Sequence, residues 1–171
     1  LDVLNCFCFS GGFSVNAALG GARNVFSVDQ DADAIALARE NFTLNGLKAS
    51  AHDFLAADAF ELLDSFKKEG RRFDLVILDP PAFIKKRKDI PNGERAYARL
   101  NREAMRLLGR DGLLLSASCS MHLAHERLVD VVRGAVRHQD RHGQVIFQGH
   151  QGPDHPVHPA IPETAYLKAL G

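Results

Sequence analysis

The 171-residue chain has no long apolar run, no paired cysteines and no net charge. No apolar stretch reaches the roughly 18 residues of a membrane-spanning helix, so we expect no membrane partner. Three cysteines without paired spacing argue against a disulfide framework and favour reduced thiols in a cytoplasmic protein. A formal net charge of zero gives no global argument for binding nucleic acid.

Several motifs of common enzyme classes are also missing. The glycine-containing segment 10–12 does not continue as G-x-G-x-x-G, so the dinucleotide fingerprint is absent, and there is no P-loop or zinc ribbon. His150, His155 and His158 lie in a proline-rich segment without metal-ligand spacing, so no metal site is expected.

What the sequence does contain is an alternation of apolar strands and amphipathic helices. The pattern predicts strands at 1–9, 24–29, 49–54, 73–78, 112–118, 144–147 and 166–170, and helices at 13–19, 31–45, 59–68, 94–108 and 122–138. This order is typical of an α/β fold, with a doubly wound, mainly parallel sheet and helices on both faces. We expect a single domain over 1–171, with its last strand cut short.

The segment 79–83, Asp-Pro-Pro-Ala-Phe, directly follows the apolar run 73–78. Neither proline can donate a ladder hydrogen bond, so the strand ends abruptly and Asp79 lies at its carboxyl end. Open α/β sheets bind ligands at that edge. The alternative is an ordinary proline-rich strand exit.

Two further acids follow predicted strands. Asp29 ends the strand 24–29, where a carboxylate can accept hydrogen bonds from both hydroxyls of a ribose. Asp58 follows the third strand, although the N-cap of a helix explains it equally well. We therefore expect Asp29, Asp58 and Asp79 to face one crevice.

Cys119 lies in the segment 116–120, Ser-Ala-Ser-Cys-Ser, as the chain leaves a strand. A thiolate at this edge could add to carbon 6 of a pyrimidine and make carbon 5 nucleophilic. The alternative is a small core residue. Cys6 and Cys8 are predicted to be structural thiols on one face of a buried strand.

A basic run, Lys85-Lys86-Arg87-Lys88, follows the Asp-Pro-Pro turn, and more arginines continue at 95, 99, 102 and 106. Such a run can bind RNA phosphate, since each contact releases counterions. A solvated surface is the alternative interpretation.

These features together resemble class I S-adenosylmethionine-dependent methyltransferases. Within that class the chain is similar to the bacterial 23S rRNA (cytosine-5) methyltransferase family. The resemblance rests on segments 5–14, 28–29, 58–60, 79–83 and 118–120, on Asn41 with 44–46, and on a tail from 154–156 to 162–164 with 166–168. The pairing of Asp-Pro-Pro-x-Phe with Ser-Cys-Ser, together with the tail, is its more specific part.

The resemblance implies an S-adenosylmethionine site formed by Asn5, Phe7, Gly11, Asp29, Asp58, Ala59 and Asp79. In the family the first three positions cradle the methionine portion of the cofactor. The acid after the second strand binds ribose, and Asp58 with Ala59 would meet the adenine.

The resemblance also implies an RNA substrate, 23S rRNA, with Asp79 holding the target base and Cys119 as the nucleophile. Substrate contacts are expected from Pro80, Pro81, Phe83, Lys85, Lys86, Arg87 and Lys88. Some RNA cytosine methyltransferases have a second cysteine directly after Asp-Pro-Pro that helps to release the product. Here that position is Ala82, so another base must act. Family members carry an N-terminal RNA-binding domain, so we expect this sequence to be the catalytic part of a longer protein.

Two rival functions stay open. Methylation of a base nitrogen also uses Asp-Pro-Pro motifs but needs no thiol, and a non-catalytic module could bind cofactor and RNA without turnover. The sequence also leaves the target nucleotide and the oligomeric state open, with a homodimer among the alternatives.

Overall fold

The computed structural model describes residues 1–171, the side chain of Pro162 excepted, and divides into two compact units. Unit 1 comprises Leu1–Asp79 and Arg106–Leu114, and unit 2 comprises Pro80–Met105 and Leu115–Gly171. The described strands number seven and follow the order β3-β2-β1-β4-β5-β7-β6.

Unit 1 alternates strands and helices throughout. Its elements are β1 (Asp2–Cys6), α1 (Gly12–Leu19), β2 (Asn24–Asp29), α2 (Ala32–Leu44), β3 (Asp53–Ala56), α3 (Ala59–Lys68) and β4 (Phe73–Leu78). β1 pairs in parallel with β2 and β4, and β2 pairs in parallel with β3. Parallel pairing requires crossover connections, which the helices supply.

Helices cover both faces of this parallel sheet. Phe26 and Ser27 are neighbours in β2 and therefore point to opposite faces. Phe26 packs edge-on against Phe66 of α3, while Ser27 bonds Ser14 of α1. The predicted mainly parallel, doubly wound α/β fold is confirmed.

Unit 2 contains most of α4 (Ile90–Leu107), the end of β5 (Leu108–Ser118), α5 (His125–His138), β6 (Gln148–His150) and β7 (Lys168–Leu170). β7 pairs antiparallel with both β5 and β6. The unit's core groups Ile84, Tyr97, Leu123, Leu128 and Leu170. None of the helices in the described part of the chain is long and apolar enough to cross a membrane.

Two strands near the amino terminus differ from their predicted bounds. The strand predicted over 1–9 ends at Cys6, because Phe7 and Phe9 adopt φ values of 61° and 46° and turn the chain out of the sheet. The strand predicted over 49–54 is replaced by a 3-10 helix at Ala49–Ala51, and β3 follows it. Small residues such as those in Ala-Ser-Ala pack poorly on a pleated sheet.

The helix predicted at 94–108 begins earlier, at Ile90, and ends at Leu107. Pro91 suits a first helical turn, where its missing N–H breaks no hydrogen bond. β5 starts at Leu108 rather than 112, with Asp111 at a φ of 58°. α5 starts at His125 rather than 122, since a turn over 120–123 precedes it.

The strands near the carboxyl terminus also differ from their predicted bounds. The strand predicted over 144–147 is wrong: the amides of Ile146 and Phe147 both donate to the carbonyl of Gly171, and β6 forms only at Gln148–His150. β7 is shorter than the predicted 166–170. The predicted elements at 24–29, 59–68 and 73–78 are confirmed at both ends.

Candidate functional site

The turn between β1 and α1 is built around Gly11. Its φ of 81° lies in the left-handed region, and its amide donates to the carbonyl of Cys8 at 2.8 Å. A Cβ at this position would lie 2.8 Å from the Cβ of Ala38, so a side chain is excluded both by backbone conformation and by space. The chain therefore passes closely over α2 at the carboxyl end of β1.

Asn5 supports this turn from inside the protein. Its side chain is fully buried, and its Nδ2 donates to Ser14 Oγ at 2.8 Å. Ser27 Oγ donates to the same Ser14 oxygen at 2.8 Å, so β1, β2 and α1 meet at one polar cluster. Asn5 Oδ1 has no hydrogen-bond partner among the described residues. The contact of Asn5 with the methionine portion of a cofactor stays a prediction.

Asp29 organises the two turns that surround it. Its Oδ2 accepts a hydrogen bond from the Phe9 amide at 2.9 Å, and its Oδ1 accepts one from the Asp31 amide at 3.1 Å. Asn41 of α2 donates from Nδ2 to the Ser10 carbonyl at 2.8 Å and fixes the same turn. Half-buried Phe7 lies in this turn, before Cys8.

Asp58 is the N-cap of α3, as the structural alternative predicted. Its Oδ1 accepts from the amides of Phe60 and Glu61 at 2.8 and 3.0 Å. Ala59 is buried beneath it. The cap satisfies amides that would otherwise be unpaired at the helix start. A contact of Asp58 and Ala59 with adenine stays a prediction.

Asp79 follows β4 at the same edge of the unit 1 sheet, since parallel strands end together. Its amide lies 3.5 Å from the Cys6 carbonyl at the end of β1. The side chain is exposed, yet nearby protein atoms displace enough water to raise the pKa of its carboxyl. Asp29 thus ends β2, while Asp58 and Asp79 follow β3 and β4 in the same unit; that the three acids face one crevice stays a prediction.

Cys119 follows β5 in unit 2 and is half-buried. Its Sγ lies 3.8 Å from the carbonyl oxygen of Pro80. Pro80 is buried and Pro81 is exposed, so the diproline presents one residue to the interior and one to solvent.

The serines on either side of Cys119 hold its loop in place. Ser118 Oγ donates to the Tyr97 hydroxyl at 2.9 Å, and Ser120 Oγ lies 2.9 Å from the same hydroxyl. Ser120 Oγ also accepts from the Ile84 amide at 3.2 Å, which ties the segment after Asp-Pro-Pro to the thiol loop. The Phe83 ring packs 4.8 Å from the Tyr97 ring, centroid to centroid. The Ser-Cys-Ser pattern therefore has a structural explanation: the serines bind Tyr97, a residue that sequence reasoning missed.

The two other thiols, Cys6 and Cys8, are buried, whereas Cys119 is half-buried. Burial raises the pKa of both Cys6 and Cys8 to about 12. Neither thiol will ionise near neutral pH, which agrees with the predicted structural role. Cys8, however, lies beyond the end of β1, so the prediction that both sit on one strand is wrong.

The basic run is exposed at all four of its positions, Lys85, Lys86, Arg87 and Lys88. This exposure is compatible with RNA binding and with a solvated surface alike. Among the described residues, no cluster of histidine, cysteine and acidic side chains has the arrangement of a metal site.

A family model described as S-adenosylmethionine-dependent methyltransferase matches residues 1–168. The chain belongs to this methyltransferase family. S-adenosylmethionine is therefore the cofactor of its family, and the glycine turn and strand-end acids described above lie where such α/β sheets bind ligands.

Curated relatives agree with that assignment. The Ribosomal RNA large subunit methyltransferase I of Salmonella arizonae is 40% identical over 168 residues, which cover 98% of this chain and 42% of the relative. The chain thus spans less than half the length of the relatives it matches.

Solved structures share the methyltransferase fold. A putative methyltransferase complexed with SAH has a TM-score of 0.86 and 24% identity, covering 99% of this chain and 44% of that one. A SAM-dependent methyltransferase from Agrobacterium tumefaciens has a TM-score of 0.67 and 26% identity, covering 80% of this chain and 44% of that one.

Proposed function

We propose that this chain is the catalytic part of an enzyme that transfers a methyl group from S-adenosylmethionine to carbon 5 of a cytosine in large-subunit rRNA. The RNA substrate is supported by the 40% identical relative named as a large-subunit rRNA methyltransferase. The position of the methyl group is supported by one observation above all. Cys119 is a half-buried thiol held at a strand end by the Ser118–Tyr97–Ser120 cluster, with its Sγ near Pro80 of the Asp-Pro-Pro turn.

Unit 1 supplies the features of a cofactor site. The left-handed Gly11 lets the turn after β1 pack closely on Ala38 of α2, at the edge of the sheet where such folds bind ligands. Asp29 accepts hydrogen bonds from the Phe9 and Asp31 amides, which fix the orientation of its carboxylate at the end of β2 and so support a role in binding the ribose hydroxyls. S-adenosylmethionine, when bound, supplies a methyl group that a carbon nucleophile can accept.

The chain's own residues would act in a fixed order. The Cys119 thiolate forms a bond to carbon 6 of the cytosine, which breaks the aromaticity of the ring and makes carbon 5 nucleophilic. Asp79, whose carboxyl has a raised pKa, donates a hydrogen bond to the ring nitrogen or stabilises its proton. After carbon 5 has accepted the methyl group, a base removes the proton from carbon 5, and the bond between sulfur and carbon 6 breaks to release Cys119.

Much of the acceleration would come from alignment of the base with the methyl donor. The target cytosine must be unpaired or flipped out of its helix to reach such a site. Pro80, Pro81 and Phe83 form the segment that would line the base, and the basic run 85–88 would bind the flanking phosphates.

Analysis of the methylated nucleoside separates this function from nitrogen methylation. Full-length enzyme, rRNA and S-adenosylmethionine should yield 5-methylcytidine and should release tritium from RNA labelled at carbon 5 of cytosine. A product methylated on a base nitrogen, with tritium retained, would contradict the proposal. Cofactor and RNA binding without any product would favour the non-catalytic module.

A further inference from the structure

Lys168 is a buried cation next to the proposed nucleophile. The residue lies in β7, opposite Ser118 of β5 in the antiparallel pair, and only 8% of it is exposed. Nζ donates to the carbonyl of Ser120 at 2.7 Å and to the carbonyl of Leu123 at 2.5 Å. A buried charge is costly unless it is hydrogen-bonded or paired, so the two hydrogen bonds fix the position of the ammonium group.

The two carbonyls that Lys168 binds are the ends of one turn. The Leu123 amide donates to the Ser120 carbonyl at 3.1 Å and closes the turn 120–123 directly after Cys119. Leu123 is buried in the same core as Leu170 of β7. Lys168 therefore joins the edge strand to the turn that follows the thiol.

The electrostatic surroundings of Cys119 include groups from two elements. Lys168 of β7 bonds the carbonyl of Ser120, the residue after Cys119; burial lowers the pKa of this ammonium, and a thiolate at Cys119 would raise it. Tyr97 faces it from α4, and burial raises the pKa of its hydroxyl, so that Tyr97 stays neutral while bound to the two serines. The positive charge of Lys168 would therefore attract a thiolate at Cys119, and the neutral Tyr97 would not offset this attraction with a negative charge.

A purely structural role would not require a charge at position 168. A neutral donor of similar length could bond the Ser120 and Leu123 carbonyls without the cost of burying an ammonium. Resting on the function proposed above, we propose that Lys168 is a positioning residue for Cys119, which fixes the turn 120–123 and favours the thiolate form of the nucleophile. The thiolate is the form that can add to carbon 6 of the base.

The test is the pH profile of Cys119 alkylation by iodoacetamide in the full chain, with the modified cysteine located by mass spectrometry. The wild-type profile should have its midpoint below that of an ordinary thiol, about 8.5. Lys168→Met removes both the charge and the donor, whereas Lys168→Gln keeps a donor for the carbonyls and removes only the charge. Both should raise the midpoint and lower the rate at neutral pH by about tenfold, the effect of one pKa unit.

Three controls make the result decisive. Cys119→Ser should remove the signal, because Cys6 and Cys8 are buried with raised pKa values. Near-UV circular dichroism checks that each variant is folded. A folded Lys168→Gln with the wild-type profile would overturn the proposal and leave Lys168 a structural residue.

If neither variant folds, the wild-type profile alone decides. A midpoint at or above that of an ordinary thiol overturns the proposal, and a lower one supports it. Alkylation requires no RNA and no methyl transfer. Failure of the cytosine-5 function would therefore appear as methyl transfer by Cys119→Ala, independently of the alkylation result.

Discussion

Asp29 and Asp58 both bind backbone amides, so each carboxylate shapes a turn at the end of a strand as well as offering a charge there. Ser118 and Ser120 also have a structural role, because their hydroxyls bond the Tyr97 hydroxyl and hold the Cys119 loop in place. At the scale of single residues, substitutions at these positions will therefore change local structure together with any ligand contact. Variants that keep the acceptor but remove the charge can separate the two effects.

Asp29→Ala should weaken binding of S-adenosylmethionine by about 1–3 kcal/mol, because a charged hydrogen-bond acceptor for the ribose is lost. Isothermal titration calorimetry measures the change. Asp29→Asn keeps an oxygen for the Phe9 amide and should lose less. Asp33→Ala, on the exposed first turn of α2, is the matched control and should bind normally. Unchanged affinity in Asp29→Ala would contradict the ribose assignment.

Asp79 should make the stability of the protein depend on pH in a defined direction. The pKa of its carboxyl is higher in the folded protein than in the unfolded chain, so the folded state binds the proton more tightly. The free energy of unfolding should therefore fall as pH rises from the ordinary aspartate pKa through the raised value.

Asp79→Asn removes that contribution, and urea unfolding at a series of pH values measures it. The variant should be more stable than wild type at neutral pH, and the difference should shrink as the pH is lowered towards the ordinary aspartate pKa. A difference that is independent of pH would show that the carboxyl keeps its ordinary pKa in the folded protein.

At the scale of elements, α4 and α5 each contain a glycine, but the two glycines have different surroundings. A Cβ on Gly93 of α4 would overlap Ile84 Cγ1 and lie 3.1 Å from the Phe83 carbonyl oxygen. A Cβ on Gly134 of α5 would meet nothing within 4 Å. The segment after Asp-Pro-Pro therefore packs directly onto the start of α4 at a position where only glycine fits.

Gly93→Ala should destabilise the protein by about 1–3 kcal/mol through overpacking, despite the better helix propensity of alanine. Gly134→Ala should instead stabilise it by about 0.5–1 kcal/mol, because alanine loses less backbone entropy. Thermal or urea unfolding of both variants checks the pair. Equal effects of the two substitutions would contradict the close packing of Ile84 on α4.

Buried strands were the elements that the sequence predicted best. β2 and β4 are largely apolar runs that each follow an arginine and end at or just before an aspartate, so their pattern alone defines both ends. β1 was predicted too long because the residues after Cys6 are equally apolar. The end of β1 is set by contacts between residues distant in sequence. The Phe9 amide donates to the Asp29 carboxylate, and the Cys8 amide donates to the Val28 carbonyl.

The remaining errors have the same origin. β6 forms where Gly149 and His150 pair with β7, while the more apolar segment before it bonds to both the carbonyl and the amide of Gly171. In the candidate site, acids and the thiol could be predicted because they follow strands. Tyr97 and Lys168 could not, because their contacts with Ser120 join segments far apart in the sequence, and only the tertiary structure brings these together.

At the scale of the whole molecule, net charge is zero, so any RNA binding by this chain must come from local concentration of charge. The exposed run Lys85, Lys86, Arg87 and Lys88 is such a concentration. Replacing Lys85 and Lys86 by alanine should weaken RNA binding and reduce the salt dependence of the affinity by about one unit of slope per lost phosphate contact.

Filter binding of the full-length protein at several salt concentrations measures that slope. Cofactor affinity should not change in the double variant, since no residue assigned to the cofactor lies in the run 85–88. Lys67 and Lys68, exposed at the end of α3, form the matched control pair. An unaltered slope would show that the basic run does not contact RNA phosphate and is a solvated surface.

The most direct test of cytosine-5 methylation is trapping of a covalent complex between the full-length protein and RNA that carries 5-fluorocytosine at the target. Fluorine replaces the proton that must leave carbon 5, so the bond between Cys119 sulfur and carbon 6 cannot be broken after methyl transfer. A complex stable to denaturing electrophoresis should form with wild type, Cys6→Ala and Cys8→Ala. Cys119→Ala should form no complex and should not methylate RNA. Methyl transfer by Cys119→Ala would contradict the mechanism and make nitrogen methylation the better account.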